Sequence, residues 1–129
     1  MATTHAEVHI ARDADEVWKV FGDFQGIKTW FPGLTDVRAD GADVRVISMG
    51  PGMEITETVL SRDDANRTLS YSVASPVLNA NKYETTITVK PADGGSIATM
   101  DAVLDPDSLA DLIGPVYESA VQGLAQHFA

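Results

Sequence analysis

Between Thr35 and Leu104 the sequence is cut at short intervals by turn-forming residues, and the pieces between the cuts alternate apolar with polar side chains. Thr35 to Ala39 ends at Asp40-Gly41, Val44 to Met49 at Gly50-Pro51-Gly52, and Met53 to Ser61 at Asp63-Asp64-Ala65-Asn66. Thr68 to Ala74 runs into a loop around Ser75-Pro76, Lys82 to Lys90 ends at Asp93-Gly94-Gly95, and Ser96 to Leu104 follows. Pieces this short, with a period of two and bounded by glycine, proline and aspartate, read as strands. Six in succession, joined by tight turns, predict an antiparallel meander.

What flanks the meander narrows the fold further. Thr4 to Ile10 places Ala6, Val8 and Ile10 on one side and His5, Glu7 and His9 on the other, as in a half-buried strand. Asp13 suits an N-cap, with Glu16 three residues on completing a capping box. Ala14, Val17, Trp18 and Phe21 then repeat at helical spacing, predicting a helix to about Asp23. A second, short helix with Ile27, Trp30 and Phe31 lies between Gly26 and Pro32. At the far end Asp105-Pro106 reads as a helix start. A broad apolar stripe from Leu109 through Ile113, Tyr117, Val121 and Leu124 to Phe128 makes the last segment a long amphipathic helix. Gly114-Pro115 should break or bend it. The order β-α-α-β-β-β-β-β-β-α makes the chain an α+β protein. A seven-stranded curved antiparallel sheet would wrap around the long C-terminal helix and leave a cavity where helix and sheet diverge.

At 129 residues with 44% hydrophobic content, the chain is read as one domain, 1–129, with a sizeable core. The absence of cysteine excludes disulfides and thiolate chemistry. A net charge of −10 argues against nucleic acid as a partner. No apolar run is long enough for stable membrane insertion, and the first residues carry no secretion signal, so the expected location is cytoplasmic. The expected state is a monomer or weak homodimer. No cofactor is expected. His5 and His9 flank Glu7 on the solvated face, His127 sits near the end of the last helix, and no metal site is expected from them.

The Gly50-Pro51-Gly52 hairpin fixes a register. With Met49 opposite Met53, Ile47 faces Ile55 and Arg45 faces Glu57, all on one face with Val59. Five apolar residues in this set point it inward, so Arg45 and Glu57 form a charged pair inside or at the rim of the cavity. Functionally, Glu57 would be a general base or ligand-orienting acceptor, and Arg45 an anchor for a carbonyl or carboxylate. Structurally, the same pair is a salt bridge that holds register. Tyr71 and Tyr83 fall on the apolar phase of their strands and Tyr117 on the buried side of the last helix, each bringing apolar area and a hydroxyl. Trp30 is the candidate cavity wall among the tryptophans, with Trp18 holding its helix to the fold. Met49, Met53 and Met100 can adapt to irregular ligands, and Pro76-Val77-Leu78 is an apolar loop cluster suited either to covering an entrance or to packing on the sheet edge.

This order, together with Ala14-x-x-Val17-Trp18, Trp30-x-Pro32-Gly33, Arg45 followed by Glu57 across a hairpin, Asp63, and Leu69-x-Tyr71, resembles the START/Bet v 1-like (SRPBCC) superfamily. The likeness is greatest to its polyketide cyclase/dehydrase and lipid-transport branch, and it covers nearly the whole chain. The resemblance implies a helix-grip fold around an apolar cavity. It also implies a protein that binds or carries a small hydrophobic molecule such as a lipid, polyketide or aromatic metabolite. Ligand-binding candidates are Trp30, Ile47, Met49, Ile55, Tyr71, Tyr83, Met100 and Tyr117. One alternative is a polyketide cyclase/dehydrase-like, cofactor-independent enzyme using Glu57 as acid/base with Arg45 beside it. Another is a non-catalytic stress or regulatory interaction module. Two positions depart from the relatives: the Asp40-Gly41-Ala42-Asp43 loop has a single glycine, and Met100 stands where a tryptophan is common.

Overall fold

A computed structural model describes residues 1–129. Seven strands form one antiparallel sheet in the order β1-β7-β6-β5-β4-β3-β2. They are β1 (Ala2–Ile10), β2 (Asp36–Ala39), β3 (Val44–Ser48), β4 (Glu54–Asp63), β5 (Thr68–Ala74), β6 (Lys82–Ala92) and β7 (Gly95–Asp105). Helix α1 (Ala14–Phe21) and a 3₁₀ helix (Phe24–Thr29) carry the chain from one sheet edge, β1, to the other, β2. Helix α2 (Leu109–His127) closes the chain and packs on β1 and β7. This is the helix-grip architecture that the element order predicts.

Alternation sets the faces. Leu69, Tyr71 and Val73 of β5, Tyr83, Thr85, Ile87 and Val89 of β6, and Ala98, Met100, Ala102 and Leu104 of β7 are all buried, with less buried residues between them. A one-residue slip would put this whole set in water, so the pattern fixes the register. β4 carries a bulge between Val59 and Ser61, which turns Leu60 outward. Gly50 and Gly52, at positive φ, close the β3–β4 hairpin, with the Met49 N–H donating to the Met53 carbonyl at 3.1 Å.

Helix boundaries depart from expectation in three places. The Asp13 side chain does cap α1, accepting from the Asp15 N–H at 3.1 Å, but Glu16 turns away to pair with Arg12 and no capping box forms. α1 also stops at Phe21, two residues early, where the Gly22 N–H closes back on the Trp18 carbonyl. Asp105 does not start α2: it ends β7 opposite Lys82, its carbonyl accepting from Asn81, and Ser108 takes the cap position.

Nor is α2 broken at Gly114-Pro115. Pro115 lies inside a continuous helix and removes a hydrogen bond from the Asp111 carbonyl. Buried Leu109 and Ile113 before it, and Tyr117, Ala120 and Val121 after it, clamp both halves to the same core. Tertiary packing outweighs the lost bond.

Gly123 lets α2 approach the segment after the 3₁₀ helix. A Cβ there would fall 2.5 Å from the Trp30 carbonyl oxygen and 3.0 Å from Pro32. Gly123→Ala should therefore lower stability by about 1–2 kcal/mol, even though alanine gains about 1 kcal/mol of intrinsic helix propensity. Thermal denaturation measures the loss, and a shift in Trp30 fluorescence should accompany it.

Candidate functional site

Where α2 and the 3₁₀ helix lean away from the sheet, an apolar cavity of about 180 Å³ remains. Its floor is sheet: Ile47 and Met49 from the β3 end, Ile55 and Glu57 from β4, Tyr71 and Val73 from β5, Tyr83 from β6 and Met100 from β7. Ile27, Phe31 and Leu34 close one side, and Ile113, Val116 and Tyr117 of α2 close another. Glu57 is the sole lining residue that is not hydrophobic or aromatic. A wider groove of about 750 Å³ runs between β1 and α2, but it is an open surface cleft lined largely by polar residues such as His5, Glu7, Glu118 and Gln122.

Three chain segments far apart in sequence make the mouth. Met53 at the β3–β4 hairpin, Val77 in the β5–β6 loop and Leu112 on the first turn of α2 all line it and remain 43%, 52% and 53% exposed respectively. The apolar loop Pro76-Val77-Leu78 thus lies at the entrance.

The predicted Arg45–Glu57 pairing holds: β3 and β4 place the two directly opposite, as they do Ile47 and Ile55. Arg45 is 3% exposed and Glu57 6%. Arg45 Nε and Nη2 both donate to Glu57 Oε1, at 2.7 and 2.6 Å. Arg45 Nη1 donates to the Phe24 carbonyl at 2.5 Å. The guanidinium is stacked between aromatic rings, 3.9 Å from the Phe24 centroid and 4.9 Å from that of Tyr71. Arg45 is therefore behind the wall and not on it, and the expected anchor for a ligand carboxylate is absent. Each of its three nitrogens is already engaged, and only Glu57 reaches the cavity. Burial pushes the Glu57 carboxyl above its ordinary 4.5, and the arginine's charge and hydrogen bonds offset part of that rise.

A second polar group lies nearby. The Tyr117 hydroxyl is 2.7 Å from both the Tyr83 hydroxyl and Thr85 Oγ1. Thr85 and Ala102 are cross-strand partners, and these short side chains leave room for Tyr117 to reach the sheet. Burial raises the Tyr71, Tyr83 and Tyr117 hydroxyls above 10, so all three stay protonated donors at neutral pH.

Seven of the eight ligand-binding candidates meet on this wall: Ile47, Met49, Ile55, Tyr71, Tyr83, Met100 and Tyr117. Trp30 does not. It caps the 3₁₀ helix and turns into the core, edge-on to Phe21 at 5.1 Å, while its neighbour Phe31 takes the cavity position. Ile27, Leu34, Val73 and Val116 also line the cavity and are not among the sequence candidates. Val73 was already on the inward phase with Tyr71, and Val116 lies one helical turn after Leu112, so periodicity could have found both. Leu34 sits in irregular chain and gives no such signal. On the outer face His5 sits between Glu7 and Asp101, whose hydrogen bonds raise its pKa, and no cluster of His, Cys, Asp or Glu is arranged to hold a metal. No helix is long and apolar enough to cross a membrane.

Comparison with known proteins agrees with this geometry. A profile of the family described as "Polyketide cyclase / dehydrase and lipid transport" matches residues 1–129. No curated protein matches. Among solved structures, the protein XoxI from Bacillus cereus superposes with a TM-score of 0.89 at 25% identity, covering 99% of this chain and 96% of that one. A solution structure from Thermobifida fusca gives 0.84 at 26% identity, covering 99% and 93%. A crystal structure from Bacillus thuringiensis gives 0.87 at 21% identity and 98% of each chain, a likeness of fold. Family profile, sheet topology and gripped helix coincide over the full length, and the chain belongs to the polyketide cyclase/dehydrase and lipid-transport family of START/Bet v 1-like proteins.

Proposed function

We propose that this protein binds and carries a small hydrophobic molecule in the cytoplasm, holding it between α2 and the sheet without altering it. The observation that carries this reading is the cavity: apolar on nearly every side, open at one mouth, and provided with one carboxyl group. Family membership supports hydrophobic ligand binding of this general kind. A sheet-and-helix core packed without residue would have left no such space.

An enzymatic reading, of the cyclase/dehydrase kind with Glu57 as acid/base, has one observation in its favour. Glu57 is a cavity-facing carboxyl whose pKa burial raises, the direction that favours an acid/base role. Against it stands the position of Arg45 behind the wall, which leaves no cation in the cavity to stabilise an oxyanion.

Filling the space tests the binding reading. An environment-sensitive apolar dye should bind the native protein. Ile55→Trp, which extends a wall residue into the cavity, should abolish that binding while the circular dichroism spectrum is kept. Undiminished dye binding in the filled variant would place the dye elsewhere and remove the cavity's claim.

A further inference from the structure

The cavity's size and its few unsatisfied polar atoms narrow the occupant. Resting on the binding reading above, we propose that the ligand is a neutral, single-ring molecule bearing a hydroxyl group, and that the site turns carboxylates away.

Size comes first. About 180 Å³ is well below the range of about 300–1,000 Å³ usual for drug-sized ligands, whereas a cavity of about 150 Å³ suffices for benzene. One ring with a small substituent fits. A long acyl chain does not.

The charge balance comes next. A bound carboxylate needs a cationic or multiple-donor partner once water is removed. Arg45 does not serve, because it lies outside the cavity lining: three of its five N–H groups go to Glu57 Oε1 and the Phe24 carbonyl, and Phe24 and Tyr71 cover its faces. An incoming anion would instead meet the Glu57 carboxyl, the one charged group on the wall.

The remaining polar atoms define the complementary group. Both contacts from Arg45 fall on Glu57 Oε1, so Oε2 receives no hydrogen bond from the protein and is an acceptor in want of a donor. Tyr83, Tyr117 and Thr85 hold three hydroxyl protons between them but make only two hydrogen bonds. Thr85 is fully enclosed and has no other acceptor, so it donates to Tyr117. The spare proton then belongs to Tyr83 or Tyr117, and both line the cavity. The Tyr71 hydroxyl, also on the wall, donates no hydrogen bond of its own, so the site offers one acceptor and two donors within an apolar enclosure. A hydroxyl answers all three, since its single oxygen donates once and accepts twice. A hydrocarbon leaves all three unmet, and a lone carbonyl leaves Glu57 unmet, each at a desolvation cost.

The test is a calorimetric titration of the native protein at pH 7.5 with 4-methylphenol, toluene and 4-methylbenzoate, which share one ring and differ in the polar group. 4-Methylphenol should bind about tenfold more tightly than toluene, and about a hundredfold more tightly than 4-methylbenzoate. Glu57→Gln still accepts from Arg45 but exchanges the free oxygen for a donor, so it should bring 4-methylphenol to within about threefold of toluene. Tyr83→Phe combined with Tyr117→Phe, both remote from the ion pair, removes every hydroxyl that can carry the spare proton, so it should weaken 4-methylphenol severalfold and leave toluene nearly unchanged. Equal affinity for 4-methylphenol and toluene in the native protein, or a preference for the benzoate, would overturn this ligand class while leaving the cavity a binding site. Rejection of all three by a protein that still binds a long-chain dye would overturn the size argument. Failure to bind the dye as well would end the binding reading itself.

Discussion

Arg45→Ala is expected to lower the unfolding free energy by about 3–5 kcal/mol, because it strips a desolvated carboxylate of its partner. The substitution removes both donors to Glu57 Oε1, the bond to the Phe24 carbonyl, and the stacking between Phe24 and Tyr71. The deficit should depend on pH with a definite sign. Glu57 already has a folded-state pKa above its ordinary 4.5 through burial, so its contribution to stability is fully present below that value and is lost as pH rises through the folded value. Without Arg45 the folded value climbs further, and the penalty for ionising Glu57 grows. Urea denaturation should therefore show a smaller deficit at pH 5 than at pH 8. Arg45→Met combined with Glu57→Leu should recover most of the loss, since no buried charge is then left unpaired. A deficit under about 1 kcal/mol at both pH values would mean that the pair is hydrated and unimportant to the fold.

Gly95→Ala should cost about 3 kcal/mol or more, for a reason unrelated to the cavity. Gly95 opens β7 after the two-residue turn Asp93-Gly94, at φ +151, and the ideal Cβ would lie 2.1 Å from the Ile10 carbonyl oxygen and 2.9 Å from Ala11 Cα and Arg12 N. These are backbone atoms of the junction between β1 and α1, and they cannot give way as a flexible side chain can. Gly41→Ala provides the control: its φ is +88, but nothing lies within 4 Å of the added Cβ. It should lose only about 1 kcal/mol, the cost of a left-handed conformation for a residue with a side chain. Thermal denaturation of the two variants separates crowding from conformation, and equal losses would count against the close approach at Gly95.

The fold was legible because its information is local. Glycine, proline and aspartate at the turns marked the strand ends, and a period of two assigned the faces of β5, β6 and β7. The Gly50-Pro51-Gly52 hairpin was enough to pair Arg45 with Glu57. Depth was not legible. Alternation says that Arg45 and Glu57 share a face, but not that Phe24, arriving from the 3₁₀ helix, covers the arginine and leaves only the glutamate in view. Trp30 and Phe31 changed places for a similar reason: at the end of a 3₁₀ helix neither a 3.6-residue nor a two-residue period applies, so adjacent aromatics cannot be phased. The unbroken α2 shows the reverse case, where a local rule about proline gave way to packing on both sides of it.

The three-part mouth also bears on how fast a ligand can come and go. Met53, Val77 and Leu112 stand on a hairpin tip, a loop and a first helical turn, so none belongs to the paired interior of the sheet. Clearing the entrance requires displacement of these segments alone, while the strand ladder from β1 to β7 and the Arg45–Glu57 pair stay intact. Segments of this kind move on nanosecond-to-microsecond timescales, far faster than the opening of a sheet. For the carrier proposed above, residence time is then governed by how well the occupant is held inside, and such a protein can load and discharge many times within one unfolding lifetime.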